Sequence, residues 1–189
     1  EDFHPKLPTE YRDSEVVFLA NIHPALQMEV LDQVTGPRFV ALDTMNLWID
    51  IARDELVEAL GRVDLLFLND EEALQLTGAG NVTAAVRTLK AMGPRHVVVK
   101  KGEHGALFFG PAGVLAVPAM ILDDVVDPTG AGDCFAGGFM RSLDLAGAGR
   151  DSGDAVFRRA MLDGTVTASF CPEGFSVEGL ADEARPLGD

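Results

Sequence analysis

Between Asp127 and Met140 the chain reads DPTGAGDCFAGGFM, and its centre sets Gly130, Ala131 and Gly132 beside the carboxylate of Asp133 at the start of a helical stretch. Glycine is a poor helix former, so a helix that opens on Gly130 and Gly132 gives up stability for bare backbone. Consecutive small residues leave N–H groups uncovered, and the helix adds the positive end of its dipole. The result is an anion hole without side chains over Gly130, Ala131 and Gly132. No Gly-Lys-Ser/Thr follows, so the loop is not a Walker A loop, and the dinucleotide pattern G-x-G-x-x-G fails at Phe135. Asp133 could simply match the helix dipole. Beside an anion, however, a carboxylate repels the ligand, which makes sense for a group that deprotonates a substrate hydroxyl.

Such a loop needs a frame. Four apolar runs, EVVFLAN (15–21), RFVALDT (38–44), VDLLFLN (63–69) and HVVVKK (96–101), lack in/out alternation and read as strands buried on both faces. Helical patterns lie between them from Pro24, from Asp50 and from Asn81, the last closed by Gly93-Pro94. Strand and helix in alternation predict a mostly parallel sheet covered on both sides. GALFFG and GVLAVPA then read as a hairpin, followed by long helices over 132–146 and 152–170. Without repeats, a linker or a break in composition, the chain reads as one domain over 1–189.

In an open parallel sheet, ligands bind beyond the carboxyl ends of the strands. The residues leaving the strands are Asn21 and His23, Asp43 and Asn46, Asn69 with Glu71 and Glu72, and Lys100 through Gly105. They are polar at every exit, as a phosphate-bearing ligand requires, although surface loops are polar in any case. Asn69 followed by Glu72 is also a capping box.

Composition narrows the partners. A formal charge of −15 and a pI near 4.5 argue against nucleic acid or an anionic membrane, which need clustered Lys and Arg. The acidic surface reads as solubilising or as adapted to high salt. The 47% apolar fraction and mean hydropathy of +0.14 suit a globular chain. No apolar run approaches the roughly 18 to 20 residues that span a bilayer, and the first residues lack a signal-peptide pattern, so a cytoplasmic protein is expected. Cys134 and Cys171 read as two reduced, half-buried thiols without metal-ligand spacing. Asp123 with Asp124 reads as a surface acidic run, and His4, His23, His96 and His104 as surface or turn residues.

DPTGAGDCFAGGFM resembles the C-terminal signature of the ribokinase-like carbohydrate kinases, the PfkB family. NDEE at 69–72 is similar to that family's N-x-x-E motif, KKGEHG at 100–105 to its nucleotide-binding strand exit, and ASFCPEGFS at 168–176 to the loop over nucleotide and monovalent cation. The resemblance implies a three-layer αβα fold and transfer of the γ-phosphoryl of ATP, with Mg²⁺, to a hydroxyl of a sugar. A nucleoside or vitamin-type acceptor is the alternative within that fold, and a non-catalytic nucleotide-binding module the alternative outside catalysis. It implies Asp133 as general base and the amides of Gly130, Ala131 and Gly132 as the stabilisers of phosphoryl charge. Asn69 and Glu72 would position Mg²⁺ and the phosphates, with Lys100, Gly102 and Gly105 along the nucleotide. Asp127, the carbonyl of Thr129 and carbonyls between Phe170 and Phe175 resemble a site for a monovalent cation such as K⁺. Gly137 and Gly138, with Phe139 and Met140, fit the family's close helix packing. Asn21 and Asn46 fall on the substrate side.

Family chains carry a further N-terminal segment with a substrate motif and a β lid. The chain opens on Glu1 without an initiator Met, so the expectation is the C-terminal two thirds of such a kinase, with N-terminal part and lid absent. A monomer and a homodimer both stay open.

Overall fold

In the computed structural model, residues 3–123 and 125–172 are described. Four parallel strands, β1 (Val16–Leu19), β2 (Phe39–Asp43), β3 (Leu65–Asn69) and β4 (His96–Lys100), lie in chain order, and the hairpin β5 (Ala106–Phe109) and β6 (Val114–Val117) extends the sheet antiparallel beyond β4. On one face pack α1 (Pro24–Leu31), α3 (Arg53–Leu60), α4 (Asp70–Thr77) and α5 (Val82–Met92), with α2 (Asn46–Ile51) just ahead of α3. On the other pack α6 (Ala131–Leu145) and α7 (Asp154–Phe170).

Alternate residues of one strand feed opposite cores. Val40 and Leu42 join the layer of α1, α3 and α5, while Phe39 and Ala41 join that of α6 and α7. This two-sided burial is why the strands are continuous apolar runs. The αβα sandwich expected from the sequence is the architecture observed. The helical pattern from Asp50 divides, because Ala52 leaves helical geometry at φ −140° and ψ 40° between α2 and α3. Of the glycines at the α6–α7 contact, Gly138 does the close packing: a Cβ there would stand 2.7 Å from Cβ of Thr167. Gly137 faces open space, contrary to expectation.

At the amino ends of the strands, Asp64 takes the Val40 N–H at 3.0 Å and the Arg150 guanidinium at 2.6 Å. His96 is a second correction. It is 1% exposed rather than at the surface, its ring centroid 4.4 Å from that of Phe157, with Nε2 donating to the Arg150 carbonyl at 3.1 Å. The strand that carries it is buried on both faces, which leaves its first residue no route to solvent. Asp123 is exposed, and Asp124 lies outside the described residues. Among the described residues no helix is long and apolar enough to cross a membrane.

Candidate active site

The carboxyl ends of β2, β3 and β4 converge on a cluster of charge. Asp43 closes the apolar run of β2 and is 3% exposed. One of its oxygens accepts the Thr44 N–H at 2.9 Å and the other meets Lys100 Nζ at 2.7 Å. Burial raises the Asp43 carboxyl above its ordinary range; Lys100 and the Thr44 N–H pull it back, and the charge of Asp133 pushes it up further. Asn69 and Glu72 form the reciprocal capping box, each N–H reaching the other's side chain at 2.8 Å. Glu72 is itself buried, and burial raises its carboxyl despite the Asn69 N–H and the field of Lys100. Two buried carboxylates thus share one near ammonium. Lys101 points elsewhere, 3.9 Å from Asp70.

The glycine loop meets this cluster from the opposite layer. Gly130 adopts φ +86° and ψ −9°, a left-handed turn that delivers the chain into α6. The Ala131 N–H donates to the Pro128 carbonyl at 3.1 Å, so the open donors shift one residue along. Among the described residues, the N–H groups of Gly132 and Asp133 have no hydrogen-bond acceptor. A Cβ on Gly132 would stand 3.3 Å from Lys100 Nζ. The absence of a side chain there lets the ammonium and the amide-bearing turn face one space. Asp133 is exposed beside it.

The cation elements are braced from within. Asp127 accepts the Thr129 N–H at 2.9 Å, which lowers its carboxyl. The Thr129 carbonyl accepts the Cys171 S–H at 3.2 Å, and the Pro172 carbonyl accepts the Val126 N–H at 2.7 Å. Residues 173–175, which complete the carbonyl set expected from the sequence, lie outside the described residues. Gly102 (φ +54°) begins the short turn Gly102–His104 after β4, with open space where its Cβ would be. Gly105 is required by the hairpin, since a Cβ there would strike the backbone of Val117 to Ala119.

The substrate-side residues form a separate group. The Asn21 side chain accepts Trp48 Nε1–H at 2.7 Å and donates to Met45 Sδ at 3.1 Å, while the Trp48 ring lies edge-on to His23. Asn21 therefore braces the start of α2, and Asn46 is exposed on its first turn. Asp43, named from the sequence only as a strand-exit residue without a role, proves to be the buried partner of Lys100. Its signal was a carboxylate ending an apolar run at a strand's carboxyl end.

The residues fit a metal-bound nucleotide. Asp43 and Glu72 leave more negative charge than Lys100 balances, the buried Thr44 hydroxyl beside them has no partner among the described residues, and the cradle over Gly132 would be filled by a Cβ.

The sequence profile of the pfkB family carbohydrate kinases matches residues 27–168. The chain is 37% identical over 139 residues to the cytidine kinase of Thermococcus kodakarensis, across 71% of this chain and 49% of that one. Its fold resembles the nucleoside kinase of Methanocaldococcus jannaschii (TM-score 0.72, 21% identity, 93% of this chain and 54% of the other). It also resembles a fructokinase from Vibrio cholerae O395 in a fructose, ADP and calcium ion bound form (TM-score 0.74, 21% identity, 92% and 58%). The chain spans about half the length of these relatives.

Proposed function

The chain belongs to the pfkB family of carbohydrate kinases, and from that premise we propose that residues 1–189 form the nucleotide-binding part of an ATP-dependent kinase that phosphorylates a hydroxyl of a nucleoside. The observation that carries this reading is the approach of Lys100 Nζ to Gly132, in a turn of uncovered amides that leads straight to the exposed carboxylate of Asp133.

Asp133 takes the proton of the acceptor hydroxyl, and its exposure leaves it reachable by a substrate entering from solvent. The Gly132 and Asp133 N–H groups and the Lys100 ammonium hold the charge that develops on the phosphoryl oxygens. Mg²⁺, when bound, would neutralise phosphate charge; Glu72 and Asp43 are the residues that would hold it, in keeping with an ion that prefers one or two carboxylates and keeps its water. Asp127 and the Thr129 carbonyl serve a monovalent cation in this reading. The Asn69–Glu72 cap fixes the Glu72 carboxylate, so capping and metal binding are one arrangement.

The nucleoside acceptor rests on the identity to the T. kodakarensis cytidine kinase. A free sugar is the second reading, favoured by the likeness of fold to the fructokinase. Calorimetry with ATP and Mg²⁺, followed by ADP release across a panel of nucleosides and sugars, separates them. Cytidine-type nucleosides are expected to accelerate ADP release. Release driven by fructose and not by nucleosides would favour the sugar, and absence of any ATP heat would sink both.

A further inference from the structure

Cys134 and Cys171 are the chain's two cysteines, and the fold brings them together over the glycine loop. Cys134 lies in the first turn of α6, its N–H donating to the Gly130 carbonyl at 2.9 Å. Cys171 caps the end of α7 and is 2% exposed. Its S–H donates to the Thr129 carbonyl at 3.2 Å, and its sulfur stands 3.4 Å from where a Cβ on Gly130 would be. Both cysteines thus border Gly130, and the Cys171 thiol lies near enough to raise that of Cys134. The two cysteines therefore lie beside the turn that presents the Gly132 and Asp133 amides, one at an end of each of the two helices that form this layer.

We propose that Cys134 and Cys171 are a modification site: a reversible disulfide that clamps the glycine loop to the end of α7. The oxidant is a small peroxide. Sulfur of one cysteine attacks a peroxide oxygen, the O–O bond breaks, and a sulfenic acid forms with release of one water. The second sulfur then displaces hydroxide from the sulfenic sulfur and closes the S–S bond, the hydroxide leaving as a second water. Two thiols lose two electrons and two protons, and hydrogen peroxide becomes two waters. Half-buried Cys134 is the more open of the two to the oxidant. Burial, with the neighbouring Cys171 thiol and the charge of Asp133, pushes the Cys134 thiol up to about 11, so at neutral pH the pair rests as thiols and the peroxide step, which proceeds through the small thiolate fraction, is slow.

Closure has a mechanical consequence. An S–S bond of about 2.05 Å is far shorter than any contact between two separate thiols, so closing it draws the first turn of α6 and the end of α7 together. The Cys171 S–H no longer serves the Thr129 carbonyl. A misplacement near 1 Å at a reacting site costs about 100-fold in rate, so the oxidised form handles phosphate poorly. This last step rests on the nucleotide reading; the pairing itself does not.

The purified chain, treated with hydrogen peroxide and then alkylated with iodoacetamide under denaturing conditions, is expected to be monomeric, lighter by two hydrogens and without alkyl groups. A reductant restores both thiols. Amide hydrogen exchange in peptides covering residues 129–136 is expected to slow in the oxidised form, and ATP affinity to fall about tenfold, reversibly. Two alkylated thiols, a sulfinic acid on Cys134, a disulfide between chains, or a disulfide that changes neither exchange nor affinity would overturn the proposal. Slowed exchange in a chain that binds ATP in neither form would uphold the clamp and remove the nucleotide reading instead.

Discussion

The two ends of the sheet treat buried charge in opposite ways. At the amino ends, Asp64 is matched by the Arg150 guanidinium and the Val40 N–H, and neutral His96 fills an aromatic cage with Phe39, Phe108 and Phe157. At the carboxyl ends, Asp43 and Glu72 share one lysine with Asp133 adding its charge to Asp43, and burial raises the first two acids against their charged forms. The matched end holds the fold together. The unmatched end carries charge at the fold's expense, as the proposed nucleotide and Mg²⁺ site requires. If so, substitutions at the two ends must move activity and stability independently.

The largest effect is expected from Asp133→Asn. Removing the base should lower kcat by about 100-fold to 10,000-fold, and ATP affinity should hold or tighten because the repulsion between carboxylate and phosphate goes with it. Steady-state kinetics with the best acceptor checks this, and near-normal turnover would mean that Asp133 is only a dipole-matching carboxylate. At the other end, Asp64→Ala leaves the buried Val40 N–H without its acceptor and Arg150 without its partner. A loss of about 1–3 kcal/mol in urea unfolding is expected, with ATP affinity unchanged. A weakened ATP affinity in a folded Asp64→Ala chain would erase the distinction between the ends.

The matched end was the harder one to read from sequence, for a physical reason. Strands and most helices were legible because an apolar run or a cap is written in neighbouring residues: Asn81 caps α5 and Gly93 ends it. The glycine turn into α6 was legible for the same reason, being continuous from Asp127 to Asp133. His96 looked like an exposed strand start, since its burial depends on Phe157, far along the chain on α7. The Asp43–Lys100 pair joins β2 to β4 across β3, and only the register of three strands brings it together. The break at Ala52 had no local signal at all, alanine being the best of helix formers. What the sequence hides is therefore pairing across elements, for charge as for packing.

Glu72→Gln sharpens the comparison inside the site. The amide oxygen can still accept the Asn69 N–H, so the cap survives, while a buried charge disappears. Glu72 has a folded pKa above 4.5, so the folded state holds its proton more tightly than the unfolded one. The stability this contributes is present below 4.5 and is lost as pH rises through the folded value, so at neutral pH the charged carboxylate brings a net cost. The variant is expected to melt at the same or a higher temperature and to need more Mg²⁺ for half-maximal activity. A lower melting temperature with unchanged Mg²⁺ dependence would make Glu72 a cap and nothing more.

The smallest effect, and the one of opposite sign, belongs to His96. Burial holds its imidazole below the ordinary 6.5, chiefly because the ring lies among aromatic side chains. Its Nδ1, where a second proton would go, has no acceptor among the described residues. The unfolded chain takes up a proton near pH 6.5 and the folded chain resists it, so stability is fully present above 6.5 and falls as pH drops toward the folded value. The fall cannot exceed about 1.4 kcal/mol per pH unit for one group. Urea unfolding from neutral pH down to about 5.5 should show this slope in the wild-type chain and not in His96→Leu, which keeps an apolar side chain in the cage and removes the titration. The site acids act in the reverse direction, their raised carboxyls favouring the folded state as pH falls. A wild-type chain that gained stability relative to His96→Leu on acidification would show that the imidazole is protonated inside its cage, and the matched end of the sheet would then hold an uncompensated charge of its own.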